Sequence, residues 1–223
     1  TLFPYTTLFR SVHAEIRNNT VAAKAVSKAI KITEECKNKL MILHASTKEE
    51  LSLIRIAKDK GLNVYCEVTP HHLFLDKSYL ETLGNYAKMN PPLRSKTDQE
   101  ELWYGIKEGI VDTIGTDHAP HLKKDKDKPY WQAPSGVPGV ETLLPLLLDA
   151  VNQGKLTLSD VVRLTSRNPA LIFGIKNKGK IKPGYDADLV IVDMSLEKEV
   201  KSLKTRCKWS PYSGMKLRGW PII

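Results

Sequence analysis

Val111-Asp112-Thr113-Ile114-Gly115-Thr116-Asp117-His118-Ala119-Pro120-His121 is a strand-prone run that ends in a carboxylate and two histidines. Pro120 has no backbone N–H to give a ladder, so the strand stops there. A buried parallel strand delivering Asp117 to its carboxyl edge would place it where α/β barrels and open α/β sheets carry their active sites, because the loop that follows is free to vary. Taken alone, an aspartate after a strand is more often a turn or helix cap than a catalyst.

Upstream, the same grammar repeats. Leu40-Met41-Ile42-Leu43-His44-Ala45 is an apolar run ending in histidine, and Ser46-Thr47-Lys48-Glu49 then has the form of a capping box opening a helix. Leu51, Ile54 and Ala57 form the inward stripe of that helix, and Gly61 stops it. Val64 to Val68 reads as the next strand, closed by Thr69-Pro70-His71-His72. If that segment is extended, His71 and His72 point to opposite sides, and at most one faces a site. A short helix around Tyr79 to Leu83 follows, and Lys88-Met89-Asn90-Pro91-Pro92-Leu93-Arg94 is extended because residues before proline avoid helix. Thr97 with Glu100 is expected to cap a helix that carries Leu102 and Ile106 and closes at Gly109. Before all of these, Val21, Ala22, Ala25, Val26, Ala29 and Ile30 recur at helical spacing from about Thr20 to Cys36.

Strands near 40, 64 and 111 separated by capped helices predict a parallel sheet with right-handed crossovers. His44, the His71–His72 pair and Asp117 then lie on one carboxyl face. Imidazole and carboxylate are both good ligands for a divalent metal, although two ligands are not a site. Taken alone, a histidine in the place of His44 is more often a satisfied core residue than a ligand. Residues 118 to 138 have no apolar period, and loops of that length commonly act as lids. Helices are expected at about 140 to 152 and 157 to 166, then from Asn168 to Phe173. Ala187 to Asp193 opens a β-rich tail that joins a separate small sheet.

Composition sets the outer bounds. With 223 residues, 41% hydrophobic and 26% charged, the chain is ordinary globular protein. The net charge of +9 is spread along the chain, and the lysines of Lys-Lys-Asp-Lys-Asp-Lys (123 to 128) read as a solvated surface rather than a nucleic-acid patch. Cys36, Cys66 and Cys207 lack metal-site or disulfide spacing, which suits a reducing cytoplasm. Leu143 to Leu148 is far too short to span a membrane. Residues 1–11 have neither a periodic pattern nor the layout of a signal peptide and are expected to be non-native or unrelated sequence.

The run Ile114 to His121 closely resembles the strand-eight motif of dihydroorotases, within the amidohydrolase superfamily. Leu43 to Glu49, Glu67 to Leu73, Asn90 to Arg94, Ala133 to Glu141 and Asp186 to Asp193 resemble further motifs of that family, in the same order. The resemblance covers about residues 12 to 223. It implies the later part of a TIM-type (β/α)8 barrel over 12–175 and a piece of a small C-terminal β-sandwich over 176–223.

By the same resemblance, His44 and Asp117 are metal ligands and Asp117 also moves the proton. Asn90 and His121 contact substrate, Ser135 and Gly136 close over the ring, and His71 with His72 are a family hallmark outside the ligand set. The implied reaction is zinc-dependent, reversible hydrolysis of dihydroorotate to N-carbamoyl-aspartate in pyrimidine synthesis. The family's binuclear zinc site also uses a first-strand His-x-His pair, a strand-four Lys or Asp and a strand-five histidine, which have no counterpart here. The 223 residues alone are therefore expected to be inactive. Two other readings stay open: an allantoinase or hydantoinase, and a non-catalytic dihydroorotase-like subunit supporting aspartate transcarbamoylase. Homodimerisation or association with that transcarbamoylase is the partner expectation; nucleic acid and membrane are not expected.

Overall fold

A computed structural model describes residues 12–222. The expectation for residues 1–11 lies outside them. Helix α1 (Asn19–Cys36) is capped by Asn18, whose side chain accepts from the Val21 N–H, and ends at Lys37 in the left-handed conformation. Strand β1 (Leu40–Ile42) leads to α2 (Lys48–Asp59), strand β2 (Val64–Val68) to the short α3 (Pro70–Phe74), and α4 (Tyr79–Leu83) runs into a 3-10 turn at Gly84–Ala87. Helix α5 (Lys96–Lys107) precedes β3 (Thr113–Ile114). The three strands form one parallel sheet in the order β1-β2-β3, with Ile42 opposite Cys66 and Val68 opposite Ile114.

The sheet is buried because both kinds of neighbour cover it. Ile42, Val64, Cys66, Val68, Val111 and Ile114 share one core with Leu51, Ile54 and Ala57 of α2 and Leu102 and Ile106 of α5. Gly105 lets α2 and α5 approach: a Cβ there would lie 2.8 Å from a methyl of Leu51. At the sheet's amino edge Asp112 replaces ladder pairing that β3 is too short to supply. Its carboxylate accepts from the Cys66 N–H at 2.7 Å and from Lys58 at 2.6 Å, so the pair is hydrogen-bonded on both sides.

The caps differ from expectation by one or two residues. Thr47 with Glu50, not Ser46 with Glu49, forms the capping box of α2, and Ser95 with Asp98, not Thr97 with Glu100, forms that of α5. Each stretch offers more than one hydroxyl three residues ahead of an acid, and only the backbone's point of entry into the helix selects among them. Glu50 also accepts from the Ser46 N–H at 2.9 Å, which brings Ser46 into the same cap.

Helix α6 (Lys123–Lys126) lies inside the long loop, followed by α7 (Val140–Asn152), α8 (Leu158–Val162), a π-helical turn at Arg163–Arg167 and α9 (Asn168–Ile172). The π turn precedes Pro169, which has no N–H to return to the previous turn, so the ring's bulk is met by widening. The tail strand begins later than expected: β4 (Val192–Glu199) pairs antiparallel with β5 (Lys216–Pro221), while Leu189 and Val190 are exposed. The hairpin rests on α7, where Asn152 donates to the carbonyls of Met194 and Arg218 at 3.0 and 2.7 Å. A second core joins Leu75, Met89 and Leu93 to Val137, Leu146, Trp209, Tyr212 and Leu217, fastening the tail beneath the long loop. Among the described residues no helix is long and apolar enough to cross a membrane.

Candidate active site

Parallel pairing puts the exits of β1 and β3 at one edge of the sheet, and His44 and Asp117 stand just beyond those exits. Both residues are left-handed, at φ 42° and 45°. This region is sparsely used by non-glycine residues, costs about 1–3 kcal/mol, and turns the chain sharply away from the strand direction. Strain of this kind clusters at functional sites.

Between them, at the end of β2, lies Glu67, which no motif reading had given a role. Its half-buried carboxyl is pushed above the usual carboxylate range by burial; the His44 backbone N–H and imidazole pull it down, and the charge of Asp117 raises it further. Gly115 makes room for it, since a Cβ there would lie 2.4 Å from a Glu67 oxygen. The local signal was available only in part: a glycine inside a strand marks close approach by another group, but not which one.

His71 and His72 are helical rather than extended. Thr69 caps α3 and Pro70 occupies its first turn, so both imidazoles turn into the core with ring centroids 4.5 Å apart. Thr69 Oγ1 lies 2.8 Å from His72 Nδ1, and His72 Nε2 lies 3.1 Å from the Pro91 carbonyl. A carbonyl can only accept, so Nε2 carries the proton and Nδ1 accepts from the threonine hydroxyl. Burial lowers His72 to about 3 and holds His71 well below its ordinary value.

These depressed values set an acid sensitivity. Unfolded histidine titrates near 6.5, so below that pH the unfolded chain binds protons the folded chain refuses, and stability falls as pH drops from 6.5 toward the folded value of about 3 for His72. Each such histidine contributes up to about 1.4 kcal/mol per pH unit. Denaturant titrations between about pH 7 and 5 are expected to show a shallower slope for His72→Gln than for the parent. Equal slopes would place the acid sensitivity elsewhere.

His118 takes a structural task. Its Nδ1 accepts from the N–H groups of Gly139 and Val140 at 3.0 and 3.3 Å, capping α7, whose N-cap glycine has no side chain for the purpose. His121 reaches the other way: its Nε2 lies 3.0 Å from the Ser135 carbonyl, and its own carbonyl accepts from the Trp209 indole at 2.7 Å. Gly136, at φ 112°, has its Cβ position filled by Ala119, and its N–H donates to the Lys88 carbonyl at 2.9 Å. Asn90 is exposed two residues beyond Lys88, and its side chain bonds His13. His121, Ser135 and Gly136 are thus brought together directly, and Asn90 joins them through the strand-like segment at 88.

Arg94, the last residue of the Asn90-to-Arg94 motif, is buried and organises structure: it donates to Ser46 Oγ at 3.2 Å and to the Arg17 carbonyl at 2.6 Å. The solvated-surface reading of residues 123 to 128 fails at Lys126, which is fully buried.

The Amidohydrolase family model matches residues 8–216. The chain belongs to the amidohydrolase family. Its parallel strands and helices are accordingly part of a TIM-type α/β architecture. This amidohydrolase chain is 43% identical over 200 residues to a dihydroorotase of Halobacterium salinarum, covering 89% of the chain and 46% of that relative. It is 45% identical over 204 residues to a dihydroorotase of Methanosphaera stadtmanae, with the same two coverages. Among solved structures it matches an L-hydantoinase (dihydropyrimidinase) from Arthrobacter aurescens at TM-score 0.86 and 35% identity, over 90% of this chain and 46% of that one. A dihydropyrimidinase from Brevibacillus agri matches at TM-score 0.87 and 30% identity, over 98% and 51%. The amidohydrolase chain therefore spans about half the length of the relatives it matches.

As a test of metal fit, His44 offers an imidazole and Asp117 a carboxylate, which is suitable donor chemistry for zinc. Among the described residues, however, no three His, Cys, Asp or Glu side chains come together as a metal set. These residues by themselves fill only part of a zinc site.

Proposed function

We propose that the complete polypeptide is a zinc-dependent cyclic-amide hydrolase that opens dihydroorotate reversibly to N-carbamoyl-aspartate. The observation that carries the reading is the delivery of His44 and Asp117, both left-handed, to one edge of a parallel sheet in an amidohydrolase. The dihydroorotases of H. salinarum and M. stadtmanae, at 43% and 45% identity, lie nearer than the hydantoinase and dihydropyrimidinase structures at 35% and 30%.

In this reading His44 and Asp117 are two of the metal ligands, the rest lying outside the described residues. Zinc, when bound, supplies polarisation of the scissile carbonyl. Asp117 accepts one proton of the attacking water and returns it to the ring nitrogen as the C–N bond breaks, while the second stays on the new carboxyl group and passes to solvent when that group ionises. Asn90 and His121 contact the substrate, while the Ser135–Gly136 turn closes over the ring through backbone groups. Residues 12–175 are the barrel portion and 176–223 a portion of a β-sandwich; the self-paired β4–β5 hairpin and the exposed Leu189 and Val190 support that division.

Substrate competition tests the reading. With zinc supplied, the complete enzyme is expected to favour dihydroorotate over hydantoin and dihydrouracil by at least about 100-fold in kcat/KM, because a site built for a charged substituent leaves polar groups unpaired when it is absent. A preference for the uncharged rings would instead support the hydantoinase reading.

A further inference from the structure

Among the described residues, two buried lysines, Lys88 and Lys126, donate to backbone carbonyls rather than to carboxylates. Lys126 is fully buried, and its ammonium donates to the carbonyls of Pro134 at 2.9 Å, Gly136 at 3.0 Å and Lys88 at 3.3 Å. Lys88 is nearly as buried and donates to the carbonyls of Tyr130 and Ala133 at 2.6 and 2.7 Å. An ammonium has three donors, and those of Lys126 are all used. Removing a charge from water is costly unless its hydrogen bonds are replaced, so a cage of carbonyls is the condition for keeping this side chain inside. The Trp209 ring, 5.6 Å from the ammonium, adds its negative face. Burial, with the charge of Lys88 as the second cause, lowers Lys126 to about 8.

We propose that Lys126 is a positioning residue that holds the Ser135–Gly136 turn against the segment leading to Asn90, and so sets the height of the loop over the bound ring. The proposal rests on the cyclic-amide reading for its kinetic part, since Ser135, Gly136 and Asn90 are assigned to substrate there. Its geometric part stands alone. The Lys88 carbonyl accepts both from Lys126 and from the Gly136 N–H, at 3.3 and 2.9 Å, so one acceptor joins the two segments through two donors. The lysine reaches 38 residues back to residue 88 and 8 and 10 forward to residues 134 and 136. A hydrophobic side chain of equal length would fill the space but take the ammonium donor from the Pro134 and Gly136 carbonyls and leave the Lys88 carbonyl only the Gly136 N–H.

The test is Lys126→Met in the complete polypeptide, with hydrogen exchange read residue by residue and expressed as protection relative to the free peptide. Gly136 and its neighbours Ser135 and Val137 are expected to exchange at least about 10-fold faster, while the amides of α5 keep their protection, as local opening requires. In the active enzyme KM for the cyclic amide is expected to rise at least about 10-fold with kcat changed less than about 3-fold, the pattern of lost substrate positioning. Should the methionine variant not fold, Lys126→Gln, which keeps an amide donor, is expected to show a smaller acceleration confined to 135–137. Unchanged exchange at Gly136 in a folded variant, or acceleration spread equally over α5, would overturn the proposal. If the parent enzyme opens no cyclic amide, the function reading fails while the exchange result still decides the clamp.

Discussion

Asp117→Asn in the complete enzyme is expected to lower dihydroorotate ring opening by at least about 10³-fold, the upper range for loss of a general acid–base group combined with a weakened metal ligand. The carboxylamide has nearly the same shape, but it cannot take a proton near neutral pH and is a poor zinc ligand. Asp117 is exposed beyond β3 and carries none of the core, so the melting temperature should change by no more than a few degrees. Its left-handed φ of 45° is also well tolerated by asparagine, which removes backbone strain as an explanation for lost activity. Turnover and thermal unfolding measured on one preparation separate the two effects. Near-parental turnover would move the proton-transfer role to another residue, for which the neighbouring Glu67 would be the first to examine.

Residues 12–223 produced alone, with zinc added, are expected to retain well under one zinc per chain after desalting and to open no dihydroorotate. A catalytic zinc takes about three protein ligands and leaves one position for water. His44 and Asp117 give two; the lone pair of His118 Nδ1 is taken up in capping α7, and His121, whose Nε2 bonds the Ser135 carbonyl, is assigned to substrate. His71 and His72 lie in α3 with their rings in the core. Glu67 brings a second carboxylate near the pair, yet the described residues form no set of three that could hold an ion. Elemental analysis and a ring-opening assay decide the matter. Stoichiometric zinc with turnover like that of an intact dihydroorotase would show that the ligand count is wrong.

Much of this was legible from residue order. Hydrophobic runs of five residues or fewer bounded by Gly, Pro and capping residues located β1 to β3, and β2 has the expected bounds, Val64 to Val68. The outer strands are shorter than expected, at Leu40–Ile42 and Thr113–Ile114, because the left-handed turns near His44 and Asp117 and the Asp112 carboxylate take over where ladder bonds end. The helix caps were recognisable in kind but not in register, since Ser46, Thr47, Ser95 and Thr97 present the same chemistry. His71 and His72 are helical rather than extended because Thr69-Pro70 ends the strand and starts a helix at once, two tasks the same residues serve equally.

The sequence by itself determined that parallel strands deliver a histidine and an aspartate to a common edge, because hydrophobic period, turn residues and the handedness of crossovers are local or nearly local rules. Only the tertiary structure decided that Glu67 stands between them and that Lys126 is the interior member of an otherwise solvent-facing lysine run. In Lys-Lys-Asp-Lys-Asp-Lys the lysines are chemically identical, and nothing within the run distinguishes one from the next. What makes one of them interior is the arrival of carbonyls from residues 88, 134 and 136 around a single ammonium, and distance in space, not order in the chain, sets that solvation energy.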